Sequence, residues 1–146
     1  TTLRAVKDLS AEQLDYRPAG FDNSIGNLLF HMAAVETEYQ IHTFENQRAS
    51  TPDEEKAWKL GSLSESERDT IKGHPLEYYL DRLEAVRRYT LEEFSKRDDA
   101  WLEVEYLDRA GATYNSNNYF SWFHVFEDEI NHRGQIRLIK KNLPGI

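Results

Sequence analysis

The sequence predicts an all-α fold in which helices are joined by polar loops. Apolar side chains recur at helical spacing in two long segments, near residues 24–45 and 76–94, and a third helical segment covers 119–141. Ser or Thr followed three residues later by Gln or Glu marks several helix starts. Proline and glycine lie between the segments, as at Gly73 and Pro75, where they end one helix and begin the next.

The chain begins with a segment, residues 1–9, that has the pattern of the end of a helix. Ser10 and Gln13 predict a capping box that opens a short turn through Leu14. The sequence YRPAG then breaks this turn, because proline and glycine do not continue a helix.

The first long helix is predicted to start between Asp22 and Ser24 and to run to about Glu45. One face of it carries the helically spaced residues Leu28, His31, Met32, Val35, Tyr39 and His42. The polar segment 46–73 follows, and it predicts short helices at most. Capping-box patterns occur there at Thr51 with Glu54 and at Ser64 with Glu67.

The next helix is predicted to start at Pro75 and to end before the charged sequence SKRDDA. Its apolar stripe consists of Leu76, Tyr79, Leu80, Leu83, Val86, Leu91 and Phe94. Residues 102–106 alternate apolar and acidic side chains, which predicts a brief strand. Residues 108–118 predict a loop before the last helix, 119–141. Gly134 lies inside that helix, and a close approach to a neighbouring helix is the expected reason.

Composition limits what the chain can do. Its 146 residues fit one domain, 1–146, with a sizeable core. A net charge of −8 disfavours nucleic acid and anionic membrane surfaces as partners. The absence of cysteine excludes disulfides, thiolate metal sites and a cysteine nucleophile, and it is compatible with a cytoplasmic location. No apolar run approaches the roughly 18 residues of a membrane span.

Potential metal ligands recur along the last helix. His124, Asp128 and His132 follow one another at steps of four residues and lie within roughly 80° around the helix. Neighbouring members can reach one ion together, whereas the outer pair lies about 12 Å apart along the axis. A third ligand must therefore come from another helix, and His31, on the apolar face of the first long helix, is the best candidate.

Two interpretations of these residues remain open at the level of spacing. His31, Asp128 and His132 together supply two imidazoles and one carboxylate, a set that suits zinc, nickel or ferrous iron with a position left for water or substrate. Alternatively, His31 is a core histidine with an ordinary hydrogen bond. Asp128 and His132 are then a surface pair on one helix.

Two helical motifs, SIGNLLFHMAAVE and FEDEINHRGQIRLIKKNLPG, resemble the DinB-like (DinB/YfiT-like) superfamily, and LSAEQLDYRP resembles its entry into the second helix. The resemblance implies a four-helix bundle of up-down-down-up topology, often dimeric, whose metal is held by three histidines. Two of these map to His31 and His132. The third falls on Asp128, so this chain departs from the family pattern by replacing one potential ligand with another. His124, one step further back, is expected to line the pocket.

The resemblance implies a metal-dependent small-molecule enzyme: a thiol-dependent S-transferase, whose partner is a low-molecular-weight thiol, or a hydrolase. A non-catalytic metal- or ligand-binding stress-response bundle is the alternative, because no unambiguous general acid, base or oxyanion donor is evident. A homodimer is expected. The family's first helix is longer, so we expect it to begin upstream of Thr1.

Overall fold

Three long helices dominate the computed structural model, which describes residues 1–107 and 115–144. The helices are α1 (Thr2–Val6), α2 (Ala11–Asp15), α3 (Ile25–Thr43), α4 (Pro52–Leu60), α5 (Leu76–Phe94), α6 (Asp99–Leu102) and α7 (Asn118–Lys141). Two three-residue strands, β1 (Glu105–Leu107) and β2 (Asn115–Asn117), pair antiparallel ahead of α7. The predicted all-α class is confirmed.

The direction of α5 relative to α3 follows from which residues meet. Early in both helices, Gly26 lies against the Tyr79 ring. Later in both, Arg87 pairs with Glu36, with donor–acceptor distances of 2.9 and 3.0 Å. Because the early residues of α3 meet the early residues of α5, and the later residues meet the later ones, the two helices run parallel. The long connection through α4 makes this arrangement possible.

Helix α7 runs against α3 and alongside α1. Trp122, near its start, donates a 3.1 Å hydrogen bond to Thr43 at the end of α3. The Thr2 hydroxyl donates to Glu129 at 2.7 Å, and Lys140 donates to the Ala5 carbonyl at 3.1 Å, so α1 and α7 point the same way. The predicted up-down-down-up order of α1, α3, α5 and α7 is therefore confirmed.

Capping boxes fix several helix starts. The predicted boxes at Ser10 and Thr51 both form. A third, at Ser24, uses the shorter Asn27 side chain in the place usually taken by Glu or Gln. The Ser64 pattern leads into consecutive turns over 65–70 and not into a helix.

Two buried clusters hold the long helices together. The larger centres on apolar residues of α2, α3 and α7, among them Leu14, Leu28, Leu29, Ile136 and Ile139. A smaller aromatic cluster joins the end of α3 to the start of α7, where the Phe44 ring stacks on Trp122 with ring centroids 4.8 Å apart. Together they keep α3 and α7 in register along their length.

The segment before α7 differs in part from the prediction. The brief strand exists, displaced to Glu105–Leu107. A loop was predicted over 108–118, of which 108–114 lie outside the described residues. For 115–118 the prediction is wrong, since Asn115–Asn117 forms β2 and α7 begins at Asn118. The side chain of Asn117 caps α7 by accepting a 2.8 Å hydrogen bond from the Phe120 N–H.

Among the described helices, none combines the length and apolar character that a membrane crossing requires.

Gly134 does not mark a close approach to any described part of the chain, so that prediction is wrong. A Cβ at this position would meet nothing within 4 Å. The close approaches occur at Gly26, where a Cβ would lie 2.7 Å from the Tyr79 hydroxyl, and at Gly61, where it would lie 2.6 Å from the Ala34 Cβ. A glycine whose role is steric can therefore be told from one that is not only when its neighbours are known.

We expect part of the acid sensitivity of folding to arise at Glu54. Hydrogen bonds from Arg48, at 2.7 and 2.8 Å, lower the pKa of Glu54 from 4.5 to about 2. A depressed carboxyl pKa adds stability that is complete above pH 4.5 and is lost as the pH falls through about 2. The gap in urea midpoint between the parent and Glu54→Gln should therefore narrow on going from neutral pH to pH 2. A gap that stays constant with pH would contradict this assignment.

Candidate metal centre

Three side chains predicted as metal ligands meet between α3 and α7. His31, Asp128 and His132 each offer one ligand atom, and these atoms lie within 4.8 Å of one another. Both imidazoles converge on one carboxylate oxygen. Asp128 Oδ1 lies 3.5 Å from His31 Nε2 and 3.1 Å from His132 Nε2.

The antiparallel packing of α3 and α7 creates this meeting point. Asp128 and His132 are one helical turn apart, so they project from the same face of α7. His31 faces them from α3, and its ring contacts that of His132 edge-on, with centroids 4.8 Å apart. The three side chains are only 10–15% exposed, so the cluster lies in the interior but within reach of solvent.

A backbone carbonyl of a third element orients His31. Gly61 is the C-cap residue of helix α4, and its carbonyl oxygen lies 2.6 Å from His31 Nδ1. Because a carbonyl can only accept, Nδ1 must carry a proton. Nε2, on the other side of the ring, faces Asp128: it donates to that carboxylate when the ring is charged and offers its lone pair to a metal when the ring is neutral. A backbone acceptor behind a histidine ligand is a common feature of metal sites, since it fixes both the tautomer and the ring direction.

The spacing of the Asp128 carboxylate from each imidazole fits a divalent cation. Two bonds of about 2.1 Å at a tetrahedral angle place their ligand atoms about 3.4 Å apart. The two Nε2–Oδ1 distances, 3.5 and 3.1 Å, are close to that value. The buried Nδ1 of His132 has no hydrogen-bond partner among the described residues. The donor set and its spacing are therefore compatible with a metal centre of two imidazoles and one carboxylate.

Asp128 carries the negative charge of the cluster. Burial raises the pKa of its carboxyl, but the hydrogen bonds with His132 and His31 outweigh burial and hold that pKa well below its ordinary value. Asp128 is therefore ionised at neutral pH. With a divalent cation and two neutral imidazoles, the centre would carry a net charge of +1, compared with +2 for three histidines.

His124, Glu36 and Glu129 lie outside this cluster. His124 contacts the rings of Tyr39 and Phe120, at centroid distances of 5.8 and 6.3 Å, and its role in lining a pocket stays a prediction. Glu36 and Glu129 both accept hydrogen bonds from Arg87, at 2.9 and 2.8 Å. Nothing in the residue pattern indicated the Gly61 carbonyl, because a backbone acceptor can belong to any residue type.

Replacing Gly61 with alanine is expected to weaken divalent-metal binding by about 10- to 100-fold, the usual effect of disturbing a ligand's orienting group. The backbone at Gly61, with φ −77° and ψ −3°, accepts alanine without strain. The added Cβ would instead lie 2.6 Å from the Ala34 Cβ, so α4 and its carbonyl must shift. Metal affinity is measured by competition with a fluorescent chelator, and the His31 tautomer by nitrogen NMR of the metal-free protein.

Ala34→Gly supplies the matched control for this change. It removes the atom against which the new methyl group clashes, so the Ala34→Gly/Gly61→Ala double variant should recover most of the affinity and the Nδ1-protonated tautomer. If Gly61→Ala alone bound metal as the parent does, the carbonyl would not be what orients His31.

A protein-family model described as mycothiol S-transferase matches residues 1–145 of the chain. This is a DinB/YfiT-like family, so the resemblance predicted from the two helical motifs is confirmed. No curated protein matches the sequence.

Proposed function

The chain belongs to the mycothiol S-transferase family, and on that premise we propose that it joins a low-molecular-weight thiol to an electrophilic small molecule at a divalent metal centre. The observation that carries the proposal is the convergence of His31, Asp128 and His132 within 4.8 Å. The family's name favours thiol transfer over the metal-assisted hydrolysis that the donor set alone would also allow. Mycothiol is the thiol that this name indicates, and the cytoplasm is the compartment we propose.

The metal would be held by Nε2 of His31, a carboxylate oxygen of Asp128 and an imidazole nitrogen of His132. A divalent cation with an open coordination position lowers the pKa of a bound thiol, so that the thiolate is available near neutral pH. Zinc, nickel and ferrous iron all suit two imidazoles and one carboxylate.

The chain's own residues prepare this centre before any substrate arrives. The Gly61 carbonyl oxygen, 2.6 Å from Nδ1 of His31, keeps the proton of the neutral ring on Nδ1. The lone pair of Nε2 would then be available to the metal. Asp128 would lower the net charge of the metal centre to +1, compared with +2 for three histidines. Overall, R–SH and R′–X give R–S–R′ and HX: the S–H and C–X bonds break, the S–C bond forms, and the proton leaves with the displaced anion.

An aromatic wall next to the cluster supports an electrophile with a flat apolar part. The Tyr39 ring lies between those of His42 and His124, with centroids 6.2 and 5.8 Å away. The Phe120 ring lies parallel to His124 at 6.3 Å. His124 is one helical turn from Asp128 on α7, and its side chain is 44% exposed, so this end of the wall is open to solvent.

Metal content tests the first half of the proposal. Protein purified without metal-affinity resin should contain close to one equivalent of a divalent metal by elemental analysis. His31→Ala and His132→Ala should lose it, whereas His42→Ala, which alters a histidine outside the cluster, should keep it. Protein that takes up no metal under any loading condition would overturn the metal centre.

Thiol transfer tests the second half. The metal-loaded parent should conjugate mycothiol to a chromogenic aryl chloride faster than the uncatalysed reaction, and His132→Ala should not. Glutathione and coenzyme A serve as comparison thiols. A parent that binds metal stoichiometrically yet transfers none of these thiols, and hydrolyses no ester in the same assay, would point to the non-catalytic metal-binding bundle instead.

A further inference from the structure

We infer that Arg87, which lies outside the metal cluster, is a positioning residue that holds α3 and α7 at the separation the metal centre needs. Its Nη2 atom donates to Glu36 on α3 at 3.0 Å and to Glu129 on α7 at 2.8 Å. One nitrogen thus bridges a carboxylate on each of the two helices that carry the candidate ligands. This role rests on the proposed function, because it concerns the same metal centre.

The bridging ion pairs lie next to the metal ligands in both helices but on another side of each. Glu129 follows Asp128 directly and lies about 100° from it around α7. Glu36 lies about 140° from His31 around α3 and about 8 Å further along the axis. The ion pairs of Arg87 therefore hold both helices close to the ligands, from a side that His31 and Asp128 do not occupy.

Arg87 is itself held in place, because its neighbours on α5 are bound to α3. The Gln40 side chain donates to the Val86 carbonyl at 2.9 Å and to the Thr90 hydroxyl at 2.8 Å, on either side of Arg87. The Thr90 hydroxyl in turn donates to Glu36 at 2.6 Å. An anchored guanidinium presents its donors in a fixed fork, so α7 can keep this ion pair at only one position relative to α3.

Without the guanidinium, the two carboxylates that it bridges would repel each other. Their oxygens lie less than about 6 Å apart, because both contact the same nitrogen, and like charges at such a distance disfavour one another. Glu36 is 2% exposed, so solvent and salt screen its charge poorly. The repulsion acts between α3 and α7, and it would widen the gap between His31 and Asp128, now 3.5 Å. Metal bonds of about 2.1 Å leave little tolerance for such a change.

Metal affinity, measured by competition with a fluorescent chelator, tests this role. Arg87→Met should weaken divalent-metal binding by about 10-fold or more, the lower end of what disturbing an orienting group costs. The double variant Arg87→Met/Glu129→Gln removes the repulsion together with the cation, and it should recover most of the affinity. Leu14→Ala is the matched control, because it opens a cavity at a fully buried residue of α2 and so lowers stability without touching the bridge. Its affinity should equal that of the parent, and an equal loss there would trace the effect to stability and overturn the inference.

Arg87→Lys keeps the test decisive if Arg87→Met fails to fold. Lysine retains the positive charge but lacks the planar fork that contacts two carboxylates at once. Its metal affinity should therefore lie between those of the parent and Arg87→Met. Circular dichroism verifies that each variant is folded at the temperature of the measurement.

The metal-free protein gives a readout that depends neither on metal binding nor on thiol transfer. The rings of His31 and His132 have centroids 4.8 Å apart, close enough for a nuclear Overhauser effect between their protons. This effect should weaken strongly in Arg87→Met and persist in Arg87→Met/Glu129→Gln and in Leu14→Ala. A parent that takes up no metal would overturn the proposed function and leave this readout intact. If Arg87→Met kept both the parent metal affinity and the ring contact, Arg87 would only stabilise the fold, and the inference would be overturned.

Discussion

Replacing Asp128 with alanine is expected to lower the affinity for a divalent cation by more than about 100-fold, since disturbing residues that merely orient ligands already costs about 10- to 100-fold. Asp128 Oδ1 is the atom on which both imidazoles converge, at 3.1 and 3.5 Å. Without this oxygen, the metal would keep only two ligands from the cluster, the imidazole nitrogens of His31 and His132. Competition with a fluorescent chelator for zinc, nickel and ferrous iron measures the loss.

Two further substitutions at Asp128 separate ligation from charge. Asp128→Asn keeps the shape and one oxygen but loses the charge, and it should bind metal more weakly than the parent. Asp128→His supplies the third histidine that the family resemblance implies. It should bind metal again, with preference shifted towards zinc and nickel, because imidazole is a softer ligand than carboxylate. If Asp128→Ala kept the parent affinity, the carboxylate would be a bystander and the third ligand would have to be sought elsewhere.

Replacing Arg87 with methionine is expected to lower the free energy of unfolding by about 3 kcal/mol or more, because it leaves a buried carboxylate without its cation. Glu36 is 2% exposed, and both its oxygens accept from Arg87, at 2.9 and 3.0 Å. Arg87 also donates to Glu129 at 2.8 Å, so the same change removes an ion pair between α5 and α7. Urea denaturation at neutral pH measures the difference.

Two controls identify the cause of that loss. Arg88→Met alters an exposed arginine on the same helix and should change the free energy of unfolding by less than about 0.5 kcal/mol. The double variant Glu36→Gln/Arg87→Met removes the buried charge together with its partner and should recover much of the loss. A double variant as unstable as Arg87→Met alone would show that lost packing, and not the buried charge, is responsible.

The architecture could be predicted to a large extent because its determinants are local. Capping residues such as Ser10 and Thr51 fix helix starts through contacts three residues away, and these starts are confirmed. The Ser24 box needed more than the usual pattern, since Asn27 replaces the expected Glu or Gln. Asn115–Asn117 was predicted as loop because such polar residues have low strand propensity, and pairing with β1 overrides that preference.

The three candidate ligands of the site could be predicted from the sequence, but the groups that orient them could not. Asp128 and His132 share a helix face by spacing alone, and His31 was indicated by an imidazole on an apolar face. The Gly61 carbonyl is 30 positions from His31 in sequence, and it lies at the ring only because α4 packs on α3. In the sequence, Arg87 has the pattern of an ordinary surface cation. The parallel packing of α3 and α5 places it next to Glu36.

The sequence by itself determined the helical class, the starts of several helices and the identity of the residues that can bind metal, because each depends on neighbours within one or two turns. The tertiary structure alone decided how those residues meet. It placed the Gly61 carbonyl behind His31, paired Glu36 with Arg87, and left Gly134 open to solvent where a contact was expected. These are contacts between elements far apart in the chain, and they depend on how whole helices pack, which local spacing does not encode.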